Sequence, residues 1–307
     1  MAVLCAAGLA GLLQACGGTS VVPVTPVTPD VTPAAPLSAP TPVPPASSLL
    51  VQNNVLVGAG DIDDCGPGAE QTAALLDGIA GTVFTAGDNA YNTGTLQEYM
   101  TCYDKRWGRH KLRTRPAPGN HEYESGGSGY FAYYGDAAGP PGVGYYSYEV
   151  GEWLILSLNS SAGVGQNSEQ MRWLRQTLGV TRHRCIGAYW HEPFVSSGAS
   201  RCTGRMRYIW ALLQQYGADW VVAGHDHFYE RFAPVDERGV ASATGIRSFV
   251  AGTGGAALQS AAAINPASQF RARIWGVLKL TLDPGSYDWQ FVSVSPGFGD
   301  RGHQSCD

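Results

Sequence analysis

From residue 54 onward the chain alternates short apolar runs with longer amphipathic stretches. The runs are "NVLVGAGD" (54–61), "TVFTAGD" (82–88), "WLILSLNS" (153–160), "CIGAYWHEP" (185–193), "DWVVAGHDH" (219–227) and "RSFVAGTGG" (247–255). Each is short, rich in β-formers and apolar on successive positions, which predicts strands buried on both faces. Between them "AEQTAALLDGIA" (69–80), "SEQMRWLRQTL" (168–178) and "RMRYIWALLQQYGA" (205–218) carry helical periodicity. Ser168 is the expected N-cap of the second, with Gly179 and Gly217 as helix stops. "VLKLTLDPGSYDWQFVSV" (277–294) alternates on both sides of a Pro-Gly pair and predicts a hairpin. Strands interleaved with helices make an α/β fold. Several runs end the same way: apolar strand, glycine, then Asp or His. In an open α/β sheet such residues gather at the carboxyl rim, where ligands bind.

The first fifty residues follow a different pattern. Residues 2–13, "AVLCAAGLAGLL", form an apolar run too short to span a bilayer and of the size of a signal-peptide core. "LQAC" (13–16) resembles a bacterial lipobox, with Cys16 as the lipidated residue; an ordinary secretory signal is the alternative. Residues 20–48 are a Pro/Thr/Val/Ala tether that lacks the donors and apolar faces for a core. The expected layout is a signal or lipoprotein-like segment (1–19), a linker (20–48) and one large domain (49–307). Export, to the bacterial cell envelope or beyond, follows from that layout. The membrane enters only through the N-terminal lipid.

Formal net charge is −5, with 20 Lys and Arg in 307 residues. The one basic stretch, "KRWGRHKLRTR" (105–115), is broken by Trp and Leu and is expected to be a solvated surface. Nucleic acid is therefore not the expected partner; a small phosphorylated substrate is. Of seven cysteines, Cys65, Cys102, Cys185, Cys202 and Cys306 fall in the domain. In an exported chain most should pair, and none has the C-x-x-C spacing of a zinc ribbon. Cys65 and Cys102 each lie shortly after a candidate metal loop and are expected to pair. An odd number leaves at least one free thiol.

The strand ends and one further loop supply Asp61, Asp88 with Tyr91 three residues on, Asn120 of "PGNHE", His191 of "YWHEP", and His225 and His227 of "GHDH". All are oxygen or imidazole donors, a set that suits Fe, Zn or Mn. Seven exceeds what one tetrahedral ion takes. It fits two ions sharing a carboxylate, an arrangement used for in-line phosphoryl displacement.

In the order D…GDxxY…GNHE…WHxP…GHxH the chain resembles the metallophosphoesterase (calcineurin-like) superfamily, in its purple acid phosphatase-like branch. The resemblance implies a four-layer α/β/β/α sandwich with two mixed sheets and a dinuclear site at the strand rim. It implies Asp61, Asp88, Tyr91 and His227 on one ion, and Asp88, Asn120, His191 and His225 on the other, with Asp88 bridging. Carboxylate and phenolate favour Fe³⁺ on the first; Zn²⁺, Mn²⁺ or Fe²⁺ suits the second. The expected activity is hydrolysis of phosphomonoesters by a metal-held hydroxide, with His121 as proton donor or transition-state stabiliser and Glu122 orienting it. A phosphodiesterase on the same scaffold is the nearest alternative. A non-catalytic binding module would have lost ligands, and all seven are present.

The remaining polar residues have blander readings. Asp63 is expected to cap the turn after Asp61 rather than bind metal. His110, His183 and His303 are expected to be satisfied or surface groups. Glu230 and Arg231 are expected to form an ion pair, and "AGTGG" (251–255) a tight turn rather than a phosphate cradle. The aromatics of "GYFAYYG" (129–135) and "GYYSYEV" (144–150) are assigned to packing.

Overall fold

The structure, a computed structural model, describes residues 54–199 and 204–306. The leader-like segment 1–19, the tether 20–48 and Cys202 lie outside the described residues.

Two mixed sheets form the centre. The first contains β1 (Val55–Ala59), β2 (Thr82–Ala86), β3 (Thr114–Ala117) and three later strands, β11 (Gly276–Asp283), β12 (Ser286–Ser293) and β13 (Gly299–Ser305), in the order β13-β12-β11-β1-β2-β3. The second contains β4 (Tyr146–Val150), β5 (Trp153–Ser157), β6 (Cys185–Trp190), β7 (Trp220–Ala223), β8 (Tyr229–Phe232), β9 (Arg247–Ala251) and β10 (Ser268–Ala272), in the order β10-β8-β9-β7-β6-β5-β4. β1, β2 and β3 run parallel, as do β5, β6, β7 and β9.

Three apolar clusters separate four layers. Ala69, Ala73 and Leu76 of α1 (Gly68–Asp77) pack on Val57, Ala59 and Val83, joined by tyrosines of α2 (Leu96–Thr101) and α4 (Ser128–Tyr134). Leu56, Phe84 and Leu280 meet Ile155, Tyr189 and Val222 between the sheets. Leu174 and Leu178 of α5 (Glu169–Val180) and Ile209, Trp210 and Leu213 of α6 (Arg207–Gln215) cover Leu156, Ala188 and Val221 on the far side. This is the expected α/β/β/α sandwich, and it explains why the central strands are apolar at every position: both faces are covered.

All six expected strands and three expected helices form. Ser168 caps α5, its hydroxyl accepting from the Met171 N–H. Gly179 does not stop that helix, which continues to Val180. Gly217 lies just beyond α6 with φ +68°, a conformation glycine adopts without strain. The 277–294 hairpin is present as β11–β12, but it is two strands of a six-stranded sheet rather than a free element.

The basic stretch meets its expectation in part. Lys105, Arg109, Leu112 and Arg115 are exposed, whereas Trp107 is fully buried and three arginines are tied within the domain: Arg106 to Asp63, Arg109 to Glu70 and Asp77, Arg113 to the Leu76, Ile79 and Gly81 carbonyls. Its inner side clamps α1 and its outer side is solvated. The 129–135 aromatics pack as expected: Tyr130, Tyr133 and Tyr134 form a buried cluster with Tyr99 and Tyr103. Two cystines close the domain, Cys65–Cys102 as expected and Cys185–Cys306, which sequence spacing did not single out.

Candidate metal centre

The seven candidate ligands sit just past the carboxyl ends of five strands, Asp61 after β1, Asp88 and Tyr91 after β2, Asn120 after β3, His191 after β6, and His225 and His227 after β7. Three of them leave the strand in the left-handed region, Asp61 at φ 58°, Asp88 at 50° and His225 at 71°. Each such non-glycine conformation costs about 1–3 kcal/mol and persists only where surrounding contacts over-determine it. Here they do: the Asp61, Ile62 and Asp63 N–H groups bond the Gly87, Asp88 and Asn89 carbonyls, stitching the two acidic turns together. Glycine is required beside them. A Cβ on Gly87 would meet the His191 side chain, and one on Gly119 the Asp88 carboxylate.

The side chains converge as two groups. In one, the Tyr91 hydroxyl lies 2.9 Å from Asp61 Oδ1, 3.2 Å from Asp88 Oδ2 and 3.3 Å from His227 Nε2. His227 Nε2 is also 3.1 Å from Asp61 Oδ1. In the other, His191 Nε2 lies 3.0 Å from Asp88 Oδ2, 3.0 Å from Asn120 Oδ1 and 3.1 Å from His225 Nδ1. Donors about 2.0–2.2 Å from a common ion stand about 3 Å apart, so both spacings fit a coordination shell. Asp88 Oδ2 belongs to both groups. Its other oxygen, Oδ1, is occupied by the His121 N–H at 2.9 Å.

Hydrogen bonds outside the groups fix which atoms face in. His191 Nδ1 lies 2.9 Å from the Ala86 carbonyl, and His227 Nδ1 lies 2.8 Å from the Ala257 carbonyl. A carbonyl only accepts, so Nδ1 carries hydrogen in both rings and Nε2 is the atom presented. In the second group His225 Nδ1, Asn120 Oδ1 and Asp88 Oδ2 all lie within 3.1 Å of His191 Nε2. That is a chemistry a cation satisfies. Electrostatics agree. Burial opposes charge on His191, yet Asp88 and Asp61 push it up to about 10. Burial likewise opposes charge on His227, but Asp61 raises it to about 9. Burial acts against ionised Asp61, while His227, His191 and His225 hold it down at about 2. The cluster therefore demands positive counter-charge. Tyr91 is raised well above an ordinary phenol by burial and by Asp61 and Asp88, so it would give up its proton only with a strong Lewis acid on the phenol oxygen.

Glu122 does not orient His121. It is fully buried and accepts from the Asp88 (3.0 Å), Asn89 (2.8 Å) and Gly119 (2.6 Å) N–H groups and the Tyr99 hydroxyl (3.1 Å). It locks the turn carrying Asp88 to the turn carrying Asn120. Burial and Asp88 raise its pKa, but with every partner a donor the geometry is that of the ionised carboxylate. His121 is oriented by the Asn92 carbonyl, 2.5 Å from its Nδ1, and its ring lies 4.6 Å from that of Tyr91. Its Nε2 stands 3.8 Å from Asp88 Oδ2.

Asp63 caps its turn as expected, Oδ1 accepting from the Cys65 N–H at 2.8 Å, and also pairs with Arg106. Glu230 and Arg231 do not pair with each other. Glu230 accepts from Ser197, through both its N–H and its hydroxyl, and Arg231 bonds Asp300. They are neighbours on a strand and point to opposite faces of the sheet. The 251–255 segment is not the expected tight turn between strands but an irregular bend leading from β9 into a long connection to β10, and its Gly254 N–H, like that of Ala256 after it, is taken by the Gly60 and Asp61 carbonyls. His110 bonds the Ala73 carbonyl, His183 Glu149 and His303 Asp288. Sequence reasoning missed the Ala86 and Ala257 carbonyls, which no side-chain motif marks.

A calcineurin-like phosphoesterase family model matches residues 48–229. The chain belongs to that family. Purple acid phosphatase 15 of Arabidopsis thaliana is 26% identical over 195 residues, 51% of this chain and 37% of its own length. An acid phosphatase of Aspergillus ficuum is 30% identical over 207 residues, 57% of this chain and 32% of its own. The chain thus matches about a third of the length of these calcineurin-like relatives. The purple acid phosphatase PPD1 of yellow lupin shares the fold, with a TM-score of 0.66, 22% identity, and coverage of 82% of this chain and 54% of that one. Relatives by sequence and by fold therefore carry the name of the branch that the motif order indicated.

Proposed function

We propose that this protein is an exported, metal-dependent phosphohydrolase that cleaves phosphomonoesters at a dinuclear centre. The observation that carries the reading is one atom, Asp88 Oδ2, facing two separate sets of donors. Asp61, Asp88, Tyr91 and His227 would hold one ion; Asp88, Asn120, His191 and His225 would hold the other. The carboxylate–phenolate set favours Fe³⁺, and the neutral Asn–His set favours Zn²⁺, Mn²⁺ or Fe²⁺. When bound, the ions would polarise phosphoryl oxygens and supply an acidified water as nucleophile.

The chain's own residues supply orientation and a proton. Asp61 and Asp88 are held by their turns, and the imidazoles by backbone carbonyls, so the donors need little reorganisation. His121 keeps Nδ1 on the Asn92 carbonyl and leaves Nε2 beside Asp88, where it is placed to donate a proton to a departing alkoxide. Export is supported by two cystines in the domain and by the leader-like N-terminus, with Cys16 as the proposed lipid attachment point and 20–48 as the tether. The proposed substrate is a small phosphorylated molecule, not nucleic acid.

Comparing turnover of an aryl phosphomonoester with that of its diester tests the reaction. Faster monoester cleavage is expected, and a strong diester preference moves the assignment to a phosphodiesterase. Metal analysis of protein from its native compartment should find two ions per chain, one of them iron. Asp88→Asn should lose both ions and activity together; retained activity would remove the bridging role.

A further inference from the structure

Beside the metal centre lies a small cavity that the proposed reaction does not use. It has a volume of about 180 Å³ and is lined by buried Phe228, by Gln259 and by Arg271 and Arg273. Its position follows from the sheet register. β10 runs antiparallel to β8, with Arg271 opposite Glu230 and Ala272 opposite Tyr229, so Arg273 emerges at the end of the strand nearest His227. The 256–259 loop closes the connection. On one side Ala257 accepts from His227 Nδ1 and the Gln259 N–H bonds the His227 carbonyl at 2.9 Å; on the other, Leu258 accepts from Arg273 Nη2 at 3.1 Å.

Neither guanidinium is used up. Arg273 gives one N–H to a carbonyl. Arg271 gives one to the Ser268 hydroxyl and stands 3.8 Å from Glu230, whose oxygens are already held by Ser197. Both arginines are exposed and stand two residues apart on one face of the strand end. Two guanidinium groups with N–H donors to spare at one small cavity are the chemistry that binds a phosphate group, which accepts paired N–H bonds. In a chain of net charge −5, such a pair beside the reaction centre favours an anion in that place.

We propose that Arg271 and Arg273 form an auxiliary subsite for a second phosphate group of the substrate, so that the preferred substrates carry two phosphates on one small organic frame. One phosphate occupies the metal centre and is cleaved; the other docks in the arginine cavity and orients the first. The proposal rests on the phosphohydrolase reading above.

The test compares 4-nitrophenyl phosphate with alkanediol bisphosphates of increasing length on the metal-loaded protein, with calorimetry of an alkane bisphosphonate against an alkyl phosphonate. One bisphosphate length should show a KM about tenfold below the monophosphate, equivalent to about 1.4 kcal/mol. Arg273→Ala should erase most of that advantage with kcat little changed, and Arg273→Lys should restore part of it. Among the described residues Arg273 makes one hydrogen bond, to the Leu258 carbonyl; thermal midpoints of Arg273→Ala and of Arg271→Ala, the second variant, check that the fold is kept, and an unchanged KM for 4-nitrophenyl phosphate checks that His227 stays in place. Equal KM for mono- and bisphosphates, or an equal rise for both in the variants, overturns the subsite. Arginine-dependent bisphosphonate binding without hydrolysis of any phosphate ester would instead overturn the phosphohydrolase reading and leave the subsite standing.

Discussion

Asp88 shows what a single residue must satisfy here. It needs a left-handed backbone, a glycine on each flank of its approach, one oxygen held by the His121 N–H and the other left for two donor sets. Glu122 meets most of that demand by gathering N–H groups from both turns. Glu122→Gln should keep the fold but lower metal affinity about 10–100-fold, because the amide presents its own N–H to donors and loses a bond partner of the bridging turn. Metal titration against a chelator reads this, and unchanged affinity would reduce Glu122 to packing. Tyr91 has its own signature. The iron-loaded protein should absorb in the visible, and Tyr91→Phe should bleach the band. A colourless, iron-free and fully active wild type would place Zn or Mn in the first position.

At the scale of elements, each helix stands on what its sequence periodicity offers the sheet beneath it. The 3₁₀ segment Trp107–Arg113 has no such periodicity and is held by contacts instead. Trp107 bonds the Thr72 hydroxyl of α1, and His110 sits buried against the same helix, with Arg113 donating to Nδ1 at 3.1 Å and Nε2 3.2 Å from the Ala73 carbonyl. That pair of partners selects the neutral ring. Burial pushes its pKa below the ordinary 6.5, Arg113 and Arg109 push the same way, and Asp77 and the Ala73 bond oppose them. A histidine with a lowered folded pKa is protonated first in the unfolded chain. Its contribution is complete above pH 6.5 and is lost as pH falls below that value. Chemical denaturation from pH 8 to 5 should show this slope, flattened in His110→Gln. An unchanged slope would assign the acid sensitivity to the carboxylates.

Over the whole molecule, the sandwich brings together strand ends from two sheets whose residues are far apart in sequence. Cys185–Cys306 ties the first residue of β6 to the end of the chain across 121 residues. Replacing both cysteines with alanine should lower stability by about 2–5 kcal/mol, through release of loop entropy in the unfolded chain. Urea unfolding reads the effect. Because this bridge enters β6 at the end away from His191, metal content at low denaturant should be retained. Simultaneous loss of metal would show that the two sheets move as one with the site.

Local chemistry made much of this legible in sequence. Buried strands must be apolar on both faces, and a polar residue just past the end of such a strand is placed by backbone geometry, so Asp61, Asp88, His191, His225 and His227 stood out. Asn120 stood out only by its motif, because Thr-Arg-Pro-Ala does not read as a strand; β3 tolerates Pro116 since it lies at the sheet edge, where one N–H is not needed. Long-range contacts decided the rest. Glu122 faces backbone N–H groups 34 residues away, Ala86 and Ala257 orient imidazoles through carbonyls identical to any others in the chain, and the arginine cavity exists because β10 pairs with β8 in one register. The sequence alone determined which residues are candidates for the chemistry, since that depends on side-chain type and local period. Only the tertiary structure decided which atom of each faces its neighbours, because that depends on partners the chain reaches only after it has folded.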